Sequence, residues 1–496
     1  MKKLLILFLL FAPSLFAQDE NPVYVIRGIH YAIDGKTKES ALERVCGFKT
    51  GIGFAGMDPL EKYIAEKTQD LRNIRALDEN ASTISYSLGE AEEDGAVPVY
   101  LEVSAADSRN LVILPEPKYD SNSGFSLSLK TRMYNFLGTL APQKFDFVWE
   151  KDEKNRNSLG FLIDFEFPFK AFGFNWTFTS YNEFKGYLSG DPHYDINVLG
   201  IAMELPVLFT AFTFGFEQGI VVHEENTPKI QAFEGTTEEY HSWYFSSKLY
   251  TDWEIPTPLR VGAFGNVTYT PGLYFLAKYK GGSDIGDYRH GPSLGIKQDI
   301  GFGKINWIGN YRNGLSVSLY NGNEYNFYHH AWYVNLGFAV EGHLRITNWF
   351  GVSGRLMYTK WFNDYYEYAG DVIRGFKDDA LNAKGIMSLN MDFPFRVLRF
   401  VPSEWTGNRK WRYFDFELHV SLFADFVMAE SKDGSYNFKP SDIIPGLGFE
   451  VIVFPLTWRS FFLRGSIGWD IREASRIGKL PSGIHREIYV GLGHYY

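Results

Sequence analysis

Phe414-Asp415-Phe416-Glu417-Leu418-His419-Val420-Ser421-Leu422 alternates large apolar with polar side chains. A strand points successive side chains to opposite faces, so this stretch has one continuous apolar face and one polar face. If Phe414, Phe416, Leu418, Val420 and Leu422 face lipid, then Asp415, Glu417 and His419 face inward, and the same parity carries Phe423 and Asp425 inward. Phe125, Leu127 and Leu129 alternate in the same way with Ser126, Ser128 and Lys130. The habit returns at 145–149, 162–167, 214–216 and 332–338, and continues to Ile488, Val490, Leu492, His494 and Tyr496 at the C-terminus.

Composition agrees with a barrel rather than a helical membrane protein. Aromatic residues make up 17% of the 496 residues. Mean hydropathy is nevertheless −0.20, and no apolar run after the N-terminus approaches the roughly 20 residues of a spanning helix. Lipid-facing residues that alternate with lumen-facing ones give this balance. Lys2 and Lys3 followed by an apolar run at 4–15 predict an export signal at 1–17, cleaved after Ala17. The single cysteine, Cys46, excludes an intramolecular disulfide and reads as a buried thiol. A formal charge of −10 excludes the basic face that a nucleic-acid partner needs.

Between the signal and the alternating region, 23–29 is β-prone, 38–45 has helical spacing, and Leu60, Tyr63, Ile64, Leu71 and Ile74 predict a second helix over 58–75. Strands follow at 83–88 and 97–103, for an order β-α-α-β-β over 18–113. Leu114-Pro115-Glu116-Pro117 and the residues to 123 are rich in turn formers and predict a linker at 114–123. The barrel is then expected over 124–496. The count of candidate strands is sixteen to eighteen, and sixteen antiparallel strands are expected on the even-number habit of single-chain barrels. A soluble sandwich or propeller fits less well, because the turns here are unevenly spaced.

The polar stretch 363–383 carries Ile373-Arg374-Gly375-Phe376 and precedes five candidate strands. The small α+β unit resembles a POTRA domain. The whole chain resembles the BamA and TamA-like outer-membrane assembly-factor superfamily, the bacterial surface antigen family. The points of resemblance are the Arg374 motif ahead of five strands, Asn135-Phe136-Leu137-Gly138 after the first strand, and Phe423-Ala424-Asp425 on the second strand after the loop. The resemblance implies that the loop folds back into the lumen and that Arg374 pairs with a carboxylate. By parity the candidates are Asp425, Asp392 and Glu417. Asn390 stands where the family usually has a glutamate. The guanidinium fork suits a carboxylate, and a screened lumen strengthens the pair.

A barrel seam is expected between 124–132 and 488–496, weakened by Gly491 and Gly493 and ending on the aromatic Tyr496. No catalytic residue, cofactor or metal is expected. Gly51-Ile52-Gly53-Phe54-Ala55-Gly56 lacks the βαβ context of a nucleotide site, and Gly291-Pro292-Ser293-Leu294-Gly295 runs into strand rather than a nucleophile elbow. The adjacent His329 and His330 are poorly placed for joint metal ligation. The expected function is insertion or translocation of unfolded outer-membrane or secreted polypeptides, bound through a periplasmic POTRA-like domain, with outer-membrane lipids and periplasmic chaperones or accessory lipoproteins as partners. The alternative is a passive pore or adhesin barrel.

Overall fold

The computed structural model describes residues 22–74, 76–108, 111–151, 155–188, 193–207, 210–225, 240–279, 292–363, 366, 369–457 and 462–492. The expected signal segment lies outside them. The chain divides into two compact units, with the boundary after Ala106.

In the first unit β1 (Val23–Asp34), β2 (Gly53–Ala55), β3 (Thr83–Leu88) and β4 (Val97–Ala106) form one sheet in the order β2-β1-β4-β3. The helices α1 (Glu39–Cys46) and α2 (Met57–Asn73) follow β1 and β2. Central strands β1 and β4 run parallel, which requires a long crossover of the kind that helices supply. Leu60 and Ile64 of α2 are buried against Ile26, Val99 and Leu101, so the helical stripe and the inner strand faces share one core. Cys46 is buried and forms no disulfide. The short β2 falls inside the glycine-rich stretch 51–56 and is an addition to the expected element order.

The second unit is a closed barrel of eighteen antiparallel strands. Its first half is β5 (Leu111–Asp120), β6 (Gly124–Met133), β7 (Gln143–Lys151), β8 (Asn157–Ala171), β9 (Phe174–Tyr187), β10 (His193–Val207), β11 (Thr210–Glu225), β12 (Tyr240–Arg260) and β13 (Asn266–Tyr279). The second half is β14 (Ser293–Ile308), β15 (Tyr311–Asn326), β16 (Ala331–Arg345), β17 (Gly351–Phe362), β18 (Ala383–Phe400), β19 (Phe416–Ser431), β20 (Ile444–Pro455), β21 (Leu463–Asp470) and β22 (Arg486–Leu492). Alternation works as expected. Leu127, Leu129, Phe147 and Leu422 stand exposed on the outer wall, while Ser128, Asp146, Glu417 and Asp425 are buried.

Two expectations are corrected. The strand count is eighteen, not sixteen, and the stretch 114–123 is no linker: most of it lies in β5, which pairs with β6 from Leu111↔Met133 to Asp120↔Gly124. Pro115 and Pro117 suggested a turn because proline lacks a donor. Proline is also tolerated at a strand edge, where one flank has few ladder partners, and β5 is such a strand. The connections follow the expected inequality. On the side where the chain enters the barrel, the near side, they include the two-residue links 172–173 and 309–310, whereas the far side has the long connections 363–382 and 471–485. Two near-side connections, 134–142 and 401–415, break the rule. His329 and His330 sit in the turn between β15 and β16, and the Ser293-Leu294-Gly295 part of the hydrolase-like motif is ordinary β14 strand.

Candidate functional site, a latched loop beside the barrel seam

The loop 363–382 joins β17 to β18. Two short 3₁₀ turns, Ala369–Val372 and Asp378–Ala380, flank the Ile373-Arg374-Gly375-Phe376 motif, and Ala369 N–H donates to the Leu381 carbonyl at 2.9 Å. Ile373, Phe376 and Leu381 pack in a cluster with Ile386, Val427 and Ile444 of the inner wall. This apolar packing offsets the conformational entropy of ordering a long loop.

Arg374 is 2% exposed. Its Nε and NH2 grip Asp425 at 2.9 and 2.7 Å, and its backbone N–H adds a third bond to the same carboxylate at 2.9 Å. NH1 donates to Asp392 Oδ1 at 2.5 Å. The two carboxylates come from adjacent strands, where Asp392 is opposite Phe423 and Asp425 opposite Asn390. They therefore lie diagonally on the lumen face with Phe423 between them. The guanidinium lies over the Phe423 ring, 3.9 Å from its centroid, which adds a cation–π contact in a desolvated setting. Asn390 donates to the Val372 carbonyl at 2.8 Å, so the residue standing in place of a glutamate caps the loop backbone. A second buried pair, Arg464 with Glu450 at 3.1 Å, lies on β21 and β20.

Glycines make the approach possible. Gly375 has φ 104°, and a Cβ there would stand 2.5 Å from the Trp469 nitrogen. From the wall side, a Cβ at Gly446 would meet the Arg374 carbonyl at 2.3 Å, and one at Gly468 would meet Arg374 C at 2.9 Å. Loop and wall touch backbone to backbone.

Of the sequence candidates, Arg374 meets Asp425 and Asp392. Glu417 is corrected: its carboxylate accepts from Asn310 at 2.8 Å and Arg396 at 3.1 Å. It shares the lumen face with Asp425 but stands eight residues away along β19, roughly 27 Å. The seam is corrected as well. β22 closes on β5 rather than β6, with Tyr489↔Asp120 and Val490↔Tyr119 as the paired positions. Gly491 lies in β22 beside that seam, while Gly493 and Tyr496 lie outside the described residues.

Sequence reasoning missed that the loop reaches the seam itself. Gly375 N–H donates to Glu487 of β22 at 3.2 Å, and Asp378 N–H donates to the Asn122 side chain in the β5–β6 turn at 3.0 Å. Asn122 in turn donates to Glu487 at 3.4 Å. The loop thus holds both flanks of the seam from inside. Parity along Ile488 and Val490 already placed Glu487 inward, and the inward glycines at 446 and 468 were the signal for a close backbone neighbour. Burial, reinforced by Asp120, Asp371 and Asp379, pushes the Asp378 carboxyl in this loop up to about 7.

A closed antiparallel barrel with an apolar outer wall, a polar lumen and a loop latched inside it has the fold of a transmembrane β-barrel. Among solved structures the chain is similar to CdiB from Acinetobacter baumannii, with TM-score 0.52 and 12% identity over 95% of this chain and 74% of that one. It also matches CdiB from Escherichia coli (TM-score 0.42, 9% identity, 97% and 92% covered) and BamA from Haemophilus ducreyi lacking POTRA domains 1–3 (TM-score 0.39, 12% identity, 95% and 84% covered). No protein-family model matches the sequence, and no curated protein matches it either.

Proposed function

We propose that the chain inserts or translocates polypeptides at the outer membrane. Its first unit would act in the periplasm as a POTRA-like module that binds unfolded client by strand addition at a sheet edge, a main-chain mode tolerant of sequence. The barrel seam would part to receive or pass the client. One observation carries the reading: a latched loop spans, from the lumen, a seam with two described strand pairs. A passive pore has no use for a loop that braces its closing seam from inside. Client handling of this kind requires no bond-breaking chemistry from the chain, and so no catalytic group or cofactor. Clients would be outer-membrane or secreted polypeptides, delivered by periplasmic chaperones or accessory lipoproteins.

The test locks the seam. Tyr119 and Val490 are opposite each other across it, so Tyr119→Cys with Val490→Cys in a Cys46→Ser background places two thiols for a disulfide. The expected result is loss of client assembly under oxidising conditions, restored by reductant, with the barrel still heat-modifiable on gels. Unchanged outer-membrane client levels in the locked form, measured by quantitative proteomics, would sink the reading and favour the pore.

A further inference from the structure

The near-side connection 401–415 is far longer than its near-side neighbours 346–350 and 456–462 and has an unusual surface. It holds the helix Pro402–Thr406 and the 3₁₀ turn Arg409–Phe414. Trp405, Trp411 and Phe414 are 65%, 46% and 61% exposed, and Trp411 stacks obliquely on Phe414 at 5.6 Å. The acids of the connection are already engaged. Glu404 pairs with Arg399 at 3.0 Å, and Asp415 accepts from Ser403 N–H at 3.1 Å. Arg409, Lys410 and Arg412 have no carboxylate partner among the described residues, so the connection presents three uncompensated cations among exposed aromatic rings.

Beside it the outer wall is notched. A groove of about 740 Å³ runs from Tyr413 and Phe414 across β20 and β21 to Val490 of β22 and Pro117 of β5. Its floor is Gly465, which lies between Val451 and Val490 in register. A Cβ at Gly465 would make only van der Waals contacts, at 3.8 Å. The missing side chain is therefore an open slot rather than a steric requirement.

We propose that the groove and the connection form one site for an anionic phospholipid. An acyl chain lies over Gly465, and the phosphate meets Arg409, Lys410 and Arg412. An apolar slot on a lipid-facing wall takes hydrocarbon, and the three cations on the connection whose Tyr413 and Phe414 line the slot select negative charge. Each cation near an anionic headgroup adds favourable energy that uncharged or zwitterionic surfaces do not return. The slot borders both strands of the seam, so the bound lipid covers the outer side of the joint that the Arg374 loop spans from within. The choice of phospholipid rests on the proposed function, which turns the near side toward the periplasmic leaflet.

The experiment uses the full chain in detergent, exchanged against phosphatidylglycerol or phosphatidylethanolamine and read by native mass spectrometry. Wild type is expected to keep one phosphatidylglycerol with a preference on the order of tenfold or more. Arg409→Gln with Lys410→Gln and Arg412→Gln is expected to lose the preference, and Gly465→Leu to lose retention of both lipids. Heat-modifiability confirms that each variant is folded. Equal retention of the two lipids by wild type, or an unchanged preference in the triple variant, overturns the proposal. Lipid retention is measured without client, so a silent seam lock refutes the functional reading and leaves the lipid site standing.

Discussion

Strands β18 and β19 are zipped from Ala383↔Ser431 to Phe400↔Phe416, whereas the described part of β22 pairs with β5 at Tyr489↔Asp120 and Val490↔Tyr119, flanked by Ser121 N–H to the Ile488 carbonyl and Leu492 N–H to Glu116. One loop serves both regions by different means. On the zipped wall it uses a buried guanidinium and two carboxylates. At the seam it uses single hydrogen bonds to Glu487 and Asn122. A buried charged pair is costly to break because the abandoned partner stays desolvated, whereas a single hydrogen bond contributes about 0.5–3 kcal/mol, the upper end where its acceptor is charged. The loop is therefore anchored most strongly on the wall and held by fewer bonds at the seam, and under the proposed function the seam parts while the latch stays closed.

Removing the anchor is the strongest way to break this division. Arg374→Ala leaves the fully buried Asp425 and the nearly buried Asp392 without their cation, at an expected cost of about 3–5 kcal/mol. Loss of heat-modifiability at temperatures where wild type stays compact is the expected readout. Arg374→Lys keeps the charge but not the fork, and should fall between the two. A melting profile for Arg374→Ala equal to wild type would show that the apolar cluster around Ile373 and Phe376 holds the loop unaided.

A smaller effect separates the two carboxylates. Asp425 accepts from the backbone N–H, Nε and NH2 of Arg374 and is fully buried, whereas Asp392 accepts from NH1 and keeps some exposure. Hydrogen bonds to charged groups contribute about 1.5–3 kcal/mol, so Asp425→Asn should destabilise loop docking more than Asp392→Asn. Protease cleavage of the loop in the folded barrel gives the order. Equal sensitivity of the two variants would mean that the loop shifts to share the remaining carboxylate.

The latch was legible because parity is a strict rule. Once Phe416 and Leu418 face out, Asp425 faces in, and a loop arginine then has a reachable partner. Parity says nothing about distance along a strand, which is why Glu417 qualified on its face and failed on its position. The first barrel strand was hidden for a different reason. Pro115 and Pro117 carry the same local signal in a turn and in an edge strand, and only the neighbouring strands decide between them. The seam followed from that error, since misplacing β5 made β6 the apparent partner of β22. The hold on Asn122 was invisible because it joins residues 256 positions apart through a side chain in a turn.

The gentlest probe of the comparison is pH, through an acid beside the seam contact. Asp378, whose backbone N–H binds Asn122, has its carboxyl pushed up to about 7, first by burial and then by Asp120, Asp371 and Asp379, with Lys118 opposing. Glu487 of β22 is a further acid in this group. A docked loop then keeps the Asp378 proton to about pH 7, whereas an undocked one releases it near pH 4. Between these values the docked state binds more protons, so docking is strongest below pH 4, weakens as pH rises toward 7 and levels off above it. Crosslinking of Tyr119→Cys to Val490→Cys, or protease access to 377–382, should report a looser seam at pH 7 than at pH 5. Asp378→Asn should remove most of that slope while leaving the Arg374 dependence intact. If the slope survives in Asp378→Asn, the acid that senses pH lies elsewhere in the group, and the seam and the latch are coupled more tightly than the two sets of contacts indicate.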